Sequence, residues 1–129
     1  MIKLLDQKDV KFAHFKIDEM IGNNITPSKW GLQALVPILK KNSVERHIHG
    51  QKQHLQNKQD NSEAWVCFSG KCDFEIYSIK KILVYSAILN PSEVIIVERG
   101  GNAITRATDD FKFLELKLGP YTKKNWEYF

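Results

Sequence analysis

The feature that most constrains how this 129-residue chain can fold is its punctuation. Short runs rich in β-branched and aromatic residues follow one another with turn residues between them. Long amphipathic helical patterns are scarce. The runs are 10–17 ("VKFAHFKI"), 31–40 ("GLQALVPILK"), 44–49 ("VERHIH"), 64–69 ("AWVCFS"), 72–78 ("CDFEIYS"), 82–89 ("ILVYSAIL"), 94–98 ("VIIVE"), 103–107 ("AITRA") and 111–118 ("FKFLELKL"). Asn90-Pro91, Gly100-Gly101 and Gly119-Pro120 punctuate the later runs as turns. Pro37 cannot donate to a ladder, so the run that contains it is expected at a sheet edge or at a bulge. This pattern predicts an all-β sandwich or barrel. Residues 18–30 mix turn residues with isolated apolar ones and suggest no element.

The length suits one domain, 1–129, with a core of ordinary size. Apolar residues make up 43% and charged residues 26%, as in common globular chains, and no apolar run is long enough to cross a bilayer. The start, "MIKLLDQKDV", lacks the sustained apolar stretch and small-residue cleavage site of a secretory signal, so the expected location is cytoplasmic. The net charge of +4 comes mostly from lysines spread along the chain, which argues against a nucleic-acid footprint. Cys67 and Cys72 flank "FSGK". If Ser69-Gly70 is a tight hairpin turn, the two thiols face each other across neighbouring strands. Reduced thiols packed as small apolar groups are the expectation in a cytosolic chain, and no second pair completes a zinc motif.

Residues 50–62, "GQKQHLQNKQDNS", contain Leu55 as their sole aliphatic residue and read as a polar loop inserted between two strands. The tail "YTKKNWEYF" is rich in aromatics and is expected to be pinned against the domain or a partner subunit.

The chemistry-bearing residues gather on either side of that polar loop. On a strand, residues two apart project to one face, so His47 and His49 point together. Alone, a His-x-His pair is more often solvated or structural than a ligand set. Glu63 follows the loop and is separated by six residues from Gly70. A carboxylate beside two imidazoles makes the two-histidine, one-carboxylate set that suits non-haem iron, manganese, nickel or zinc. No phosphate-cradling glycine loop, nucleotide-cofactor motif or nucleophilic triad appears.

These pieces resemble the first motif of the cupins, G-x5-H-x-H-x3,4-E-x6-G, with the short spacer stretched to the thirteen residues 50–62. The second cupin motif, G-x5-P-x-G-x2-H-x3-N, is matched by "NPSEVIIVERGGNAITR", where Ser92-Glu93 stands in place of the usual Gly-Asp. Asn102 falls where the last metal-binding histidine is expected. Its amide oxygen is a weaker ligand than imidazole for iron or zinc. The likeness covers about 31–118 and implies a cupin-type jelly-roll β-barrel, a double-stranded β-helix. The segment "FLELKLGPY" is similar to small stand-alone cupins found alongside surface-polysaccharide and sugar-nucleotide genes.

The resemblance implies a pocket with His47, His49 and Glu63 as catalytic groups. The same three residues, with His54 to make up for a missing ligand, form a metal set. Trp65, Tyr77, Tyr85, Asn102 and Arg106 are substrate-binding candidates. A solvated loop role for His54, a structural role for His14 and core packing for Trp65 are the competing readings, and surface or core roles compete for Tyr77, Tyr85 and Arg106. Three functions follow. One is proton transfer on a sugar or sugar nucleotide, of the isomerase or epimerase type. Another is a metal-dependent oxygenase or lyase reaction. The third is carbohydrate or metabolite binding by a module with a degenerate metal site. The expected partners are a small-molecule ligand and a second copy of the chain in a homodimer, with neither nucleic acid nor membrane.

Overall fold

In a computed structural model of the protein, residues 3–23, 32–48, 60–118 and 127–129 are described. Eleven strands form among them: β1 (Lys3–Asp6), β2 (Lys11–His14), β3 (Leu32–Leu35), β4 (Val44–Ile48), β5 (Asp60–Ser69), β6 (Cys72–Tyr77), β7 (Leu83–Leu89), β8 (Val94–Arg99), β9 (Gly101–Ala107), β10 (Lys112–Leu118) and β11 (Glu127–Tyr128). Short 3-10 turns occupy Ile17–Met20 and Lys40–Asn42, and no helix among the described residues is long and apolar enough to cross a membrane.

Two sheets hold the barrel strands. One runs β3-β10-β5-β8 and the other β11-β4-β9-β6-β7, while β1 and β2 pair in a separate two-stranded sheet. Every ladder among the described residues is antiparallel. Of the described barrel strands, β6 and β7 are the one consecutive pair to share a ladder; the other steps along the chain change sheets, which is jelly-roll winding. Alternation supplies the core. Trp65 and Cys67 on β5, Cys72 and Phe74 on β6, Leu89, Val97, Ile104 and Phe113 all turn inward and pack as one cluster. Trp65 meets Phe74 edge-on across the two sheets, with ring centroids 5.1 Å apart.

Several expectations change. Ser69-Gly70 is not a hairpin turn, because β5 and β6 lie in different sheets and the turn carries the chain across the sandwich. The Lys71 carbonyl accepts from the Thr108 N–H at 3.0 Å, and the Ser92 N–H donates to the Cys67 carbonyl at 2.9 Å, so each side of the turn is tied to its own sheet. Cys67 and Cys72 are free buried thiols, approaching from opposite sheets and not across one ladder. Burial pushes the Cys67 thiol up and raises Cys72 to about 12. Strand β5 begins at Asp60, so the last three residues of the expected 50–62 loop belong to a strand. The remainder of that loop lies outside the described residues. The poorly readable 18–30 segment contributes to the Ile17–Met20 turn and supplies a parallel bridge from Ile21 to Val36. Strand β3 is an edge strand that stops before Pro37, as the missing N–H requires.

Candidate functional site

Strand pairing brings the two motif halves together. His47 on β4 is in register with Asn102 on β9, and Glu63 on β5 is in register with Lys117 on β10. The inward faces of the two sheets therefore present His47 and Asn102 from one side and Glu63, Trp65, Glu115 and Lys117 from the other. These residues line a cavity of about 440 Å³, together with Pro37–Leu39 and Tyr128. That volume lies within the range of small-molecule sites.

The His47 ring is fixed from both sides. Its Nδ1 lies 2.7 Å from the Glu45 carbonyl, which can only accept, so Nδ1 carries a proton, and in the neutral ring the lone pair is on Nε2. Tyr128 stands against the ring with centroids 5.8 Å apart, because β11 pairs with β4 in the register Tyr128 to His47. The end of the tail is thus pinned, as expected from its aromatic content. The Phe129 N–H donates to the Arg46 carbonyl at 3.3 Å, and the Arg46 guanidinium donates back to the Phe129 carbonyl.

The second wall holds a group that sequence reasoning passed over. Lys117 has a side chain only 2% exposed, and its Nζ lies 3.3 Å from Glu115 Oε1. Glu115 and Lys117 are two apart on β10, so both point inward with Phe113, while Leu114, Leu116 and Leu118 point outward. Lys117 also stands opposite Gln33 on β3, whose buried Oε1 has no hydrogen-bond partner among the described residues. The signal was present in "FKFLELKL", where Phe-x-Glu-x-Lys alternates with leucines. Ordinary polarity rules assign the leucines to the core and the charges to solvent, and the barrel reverses that assignment.

The remaining candidates divide. Trp65 lines the cavity and also packs in the core. Tyr77 faces away from it. Its hydroxyl donates to Glu75 Oε1 at 3.0 Å and its ring packs edge-on against Phe129, 5.1 Å between centroids, on the outer side of the five-stranded sheet. Tyr85 lies on the edge strand β7, largely exposed and off the cavity. Arg106 reaches into solvent and pairs with Asp73 at 3.3 Å. None of these three is among the described residues that line the cavity. His14 is exposed on the β1–β2 sheet and also lies apart. His49 and His54 lie outside the described residues.

That leaves His47 and Glu63 of the expected metal set. Among the described residues no group of three histidine, cysteine or acidic side chains is placed to hold an ion. A buried ammonium stands in the same wall as both carboxylates. The described residues thus make up only half of the expected set, His47 and Glu63.

No family model matches the sequence, and no curated protein matches it. Solved structures do. A tryptophan-to-phenylalanine variant of the oxalate decarboxylase of Bacillus subtilis aligns with a TM-score of 0.59 at 15% identity, over 82% of this chain and 27% of that one. Oxalate decarboxylase from the same organism at pH 4.6 aligns with a TM-score of 0.58 at 14% identity, over 78% of this chain and 24% of that one. The chain thus spans about a quarter of the length of those enzymes. The TDP-fucose-3,4-ketoisomerase WlaRA of Campylobacter jejuni aligns with a TM-score of 0.54 at 14% identity, over 98% of this chain and 84% of that one. At such identities the likeness is one of fold, and the strand order carries it: the chain has the cupin-type jelly-roll fold.

Proposed function

We propose that the barrel cavity binds a sugar or sugar nucleotide and moves a proton on it, an isomerase- or epimerase-type step in glycan biosynthesis. The observation that carries the reading is the convergence of His47, Glu63, Trp65 and Asn102 on one cavity of about 440 Å³. In the proposed step His47 Nε2 takes a proton from the carbon beside a carbonyl. The electron pair of the C–H bond passes to the carbonyl oxygen as an enolate. The proton then returns to the same carbon on the opposite face, or it goes to the former carbonyl carbon while the proton of the hydroxyl on the first carbon passes to the enolate oxygen, so that the carbonyl moves by one position. Asn102 supplies an amide donor for an oxygen of the ligand, and Trp65 offers an apolar wall for a sugar ring. His49, with His47 and Glu63, completes the proposed acid–base set.

The likeness to the C. jejuni ketoisomerase supports this reading over a decarboxylase-type one, because it runs through nearly the whole of both chains, whereas the decarboxylase is much longer. The proposal also sets the protein in the cytoplasm, which its two free thiols support, and pairs it with a second copy.

The test is a set of thymidine-diphosphate keto-sugars incubated in D2O with protein and followed by NMR. Deuterium entering the carbon beside the carbonyl is expected with wild type, and a loss of at least about a hundredfold in rate with His47→Ala. Stabilisation by the ligand without any exchange would instead mark a binding module.

A further inference from the structure

Strand β11 touches both faces of its sheet. It pairs with β4 in the register Glu127 to Ile48 and Tyr128 to His47, and the Phe129 N–H extends the pairing by donating to the Arg46 carbonyl at 3.3 Å. Alternation sends Glu127 and Phe129 to the outer face. Tyr128 turns to the inner one, where it lines the cavity and stands against the His47 ring. A two-residue ladder at a sheet edge contributes little by itself, so side chains must fix this strand.

Those side chains gather on the outer face. The Phe129 ring has two cations over it, the Arg46 guanidinium carbon at 5.5 Å and Lys81 Nζ at 5.9 Å from its centroid, and it meets Tyr77 edge-on at 5.1 Å. Arg46 also stands 6.0 Å from the Tyr77 centroid and donates to the Phe129 carbonyl. Lys81 pairs with Glu127 as well. Beneath this cluster Tyr77 is only 6% exposed. None of Arg46, Tyr77, Lys81 and Phe129 is among the described residues that line the cavity.

We propose that this outer clamp places Tyr128, and that Tyr128 is a positioning residue for His47. The Glu45 carbonyl holds the imidazole at Nδ1, and the Tyr128 ring flanks it at 5.8 Å and 41°. Two restraints from different directions give the ring one orientation, which proton transfer requires. The role rests on the proposed reading of the pocket, in which His47 moves the proton. Its consequence is specific: groups on the far side of the sheet, outside the cavity, set how well His47 works.

Full-length protein carrying isotope-labelled histidine tests this by NMR without a sugar. The His47 ring signal is identified by its loss in His47→Gln. Tyr128→Ala is expected to shift that signal, because the ring current of the tyrosine is gone, and Tyr128→Phe to bring it back. Phe129→Ala and Arg46→Ala are expected to reproduce most of the shift from outside the cavity. In the D2O exchange assay the three alanine variants should lose at least about tenfold in kcat with little change in KM, and Tyr128→Phe should recover most of the loss. A merely structural tail would lower the urea midpoint of these variants and leave the His47 signal in place. With circular dichroism spectra unchanged, a His47 signal indifferent to Tyr128→Ala overturns the proposal. So does a signal that moves in Tyr128→Ala yet stays fixed in both Phe129→Ala and Arg46→Ala. Where an alanine variant does not fold, Phe129→Leu and Arg46→Gln are judged by the same signal. Absence of exchange in wild type would overturn the isomerase reading, and the His47 signal alone then upholds or overturns the clamp.

Discussion

Cys72 shows how far the barrel interior differs from water. Its thiol is raised from the ordinary value of 9.0 to about 12, first by burial and then by the neighbouring Cys67 and Asp73. An acid that keeps its proton longer when folded stabilises the unfolded state relative to the fold only once that proton is at stake, so its contribution to the fold is intact below the unfolded pKa. That contribution is lost as pH rises through the interval from about 9 to about 12. Alkaline titration of the urea midpoint should therefore show stability falling above pH 9.0, with a smaller fall in Cys72→Ala once its own cavity cost is subtracted. A flat profile through that window in wild type would contradict the burial argument. The same interior explains which site residues were readable. His47, Glu63 and Asn102 sit at motif positions, and strand pairing brings them to one cavity. Lys117 was not readable, because nothing local distinguishes a lysine that turns into a barrel from one that turns out. The chemistry of Tyr77, Tyr85 and Arg106 says nothing of side-chain direction, and the first is bonded to Glu75, the second exposed and the third paired with Asp73.

At the scale of elements, the turns that cross between sheets set the cavity's shape, and several of them use left-handed backbone, those at Gly70 and Ser92 included. Gly70 has φ +63°, and a Cβ there would come within 2.6 Å of the Phe111 backbone and of Thr108 Oγ1. Ser92 has φ +72°, yet it is not glycine. It stands where the cupin motif has Gly-Asp, and the positive φ gives the physical reason for the usual glycine. The next residue keeps the second half of that logic, since Glu93 Oε1 accepts from the Asn90 N–H at 2.6 Å and closes the turn. Opposite outcomes are expected from two exchanges. Gly70→Ala should destabilise by about 2 kcal/mol or more, from strain and collision together. Ser92→Gly should stabilise by roughly 0.5–1 kcal/mol, the relief of left-handed strain less the added freedom of the unfolded chain. Urea denaturation of both variants at neutral pH checks the pair, and equal effects would refute the assignment of strain. Elements were legible where turn residues bounded them. The two-residue strand β11 was not, because it is a strand only by virtue of pairing with β4. The role of Gly70 is not legible locally, because a signal for reversal does not say whether the chain rejoins its own sheet or the opposite one.

For the whole molecule, the decisive surface is the flank formed by the free edges of the two sheets. Strand β7 ends the five-stranded sheet and β8 ends the four-stranded one, and the Asn90–Glu93 turn joins them. Natural edge strands are usually guarded by charge, proline or brevity. Strand β7, "LVYSAIL", has none of these over seven residues, and Val84 is 61% exposed. Ile96 on β8 is 69% exposed. The β1–β2 hairpin adds to the case, because it pairs with no barrel strand among the described residues, and an isolated two-stranded hairpin is marginal in water. Apolar edges and a hairpin in need of a neighbour are both met if a second copy docks on this chain, which is the homodimer of the proposal. Sedimentation velocity at micromolar concentration is expected to show a dimer. The pair Val84→Lys with Ile96→Lys should weaken it at least about tenfold, since two buried charges without partners would be forced into the interface. Both positions lie off the cavity lining, so ligand binding by the separated monomer should be retained. A wild-type monomer, or a dimer indifferent to both lysines, would move the interface away from this flank.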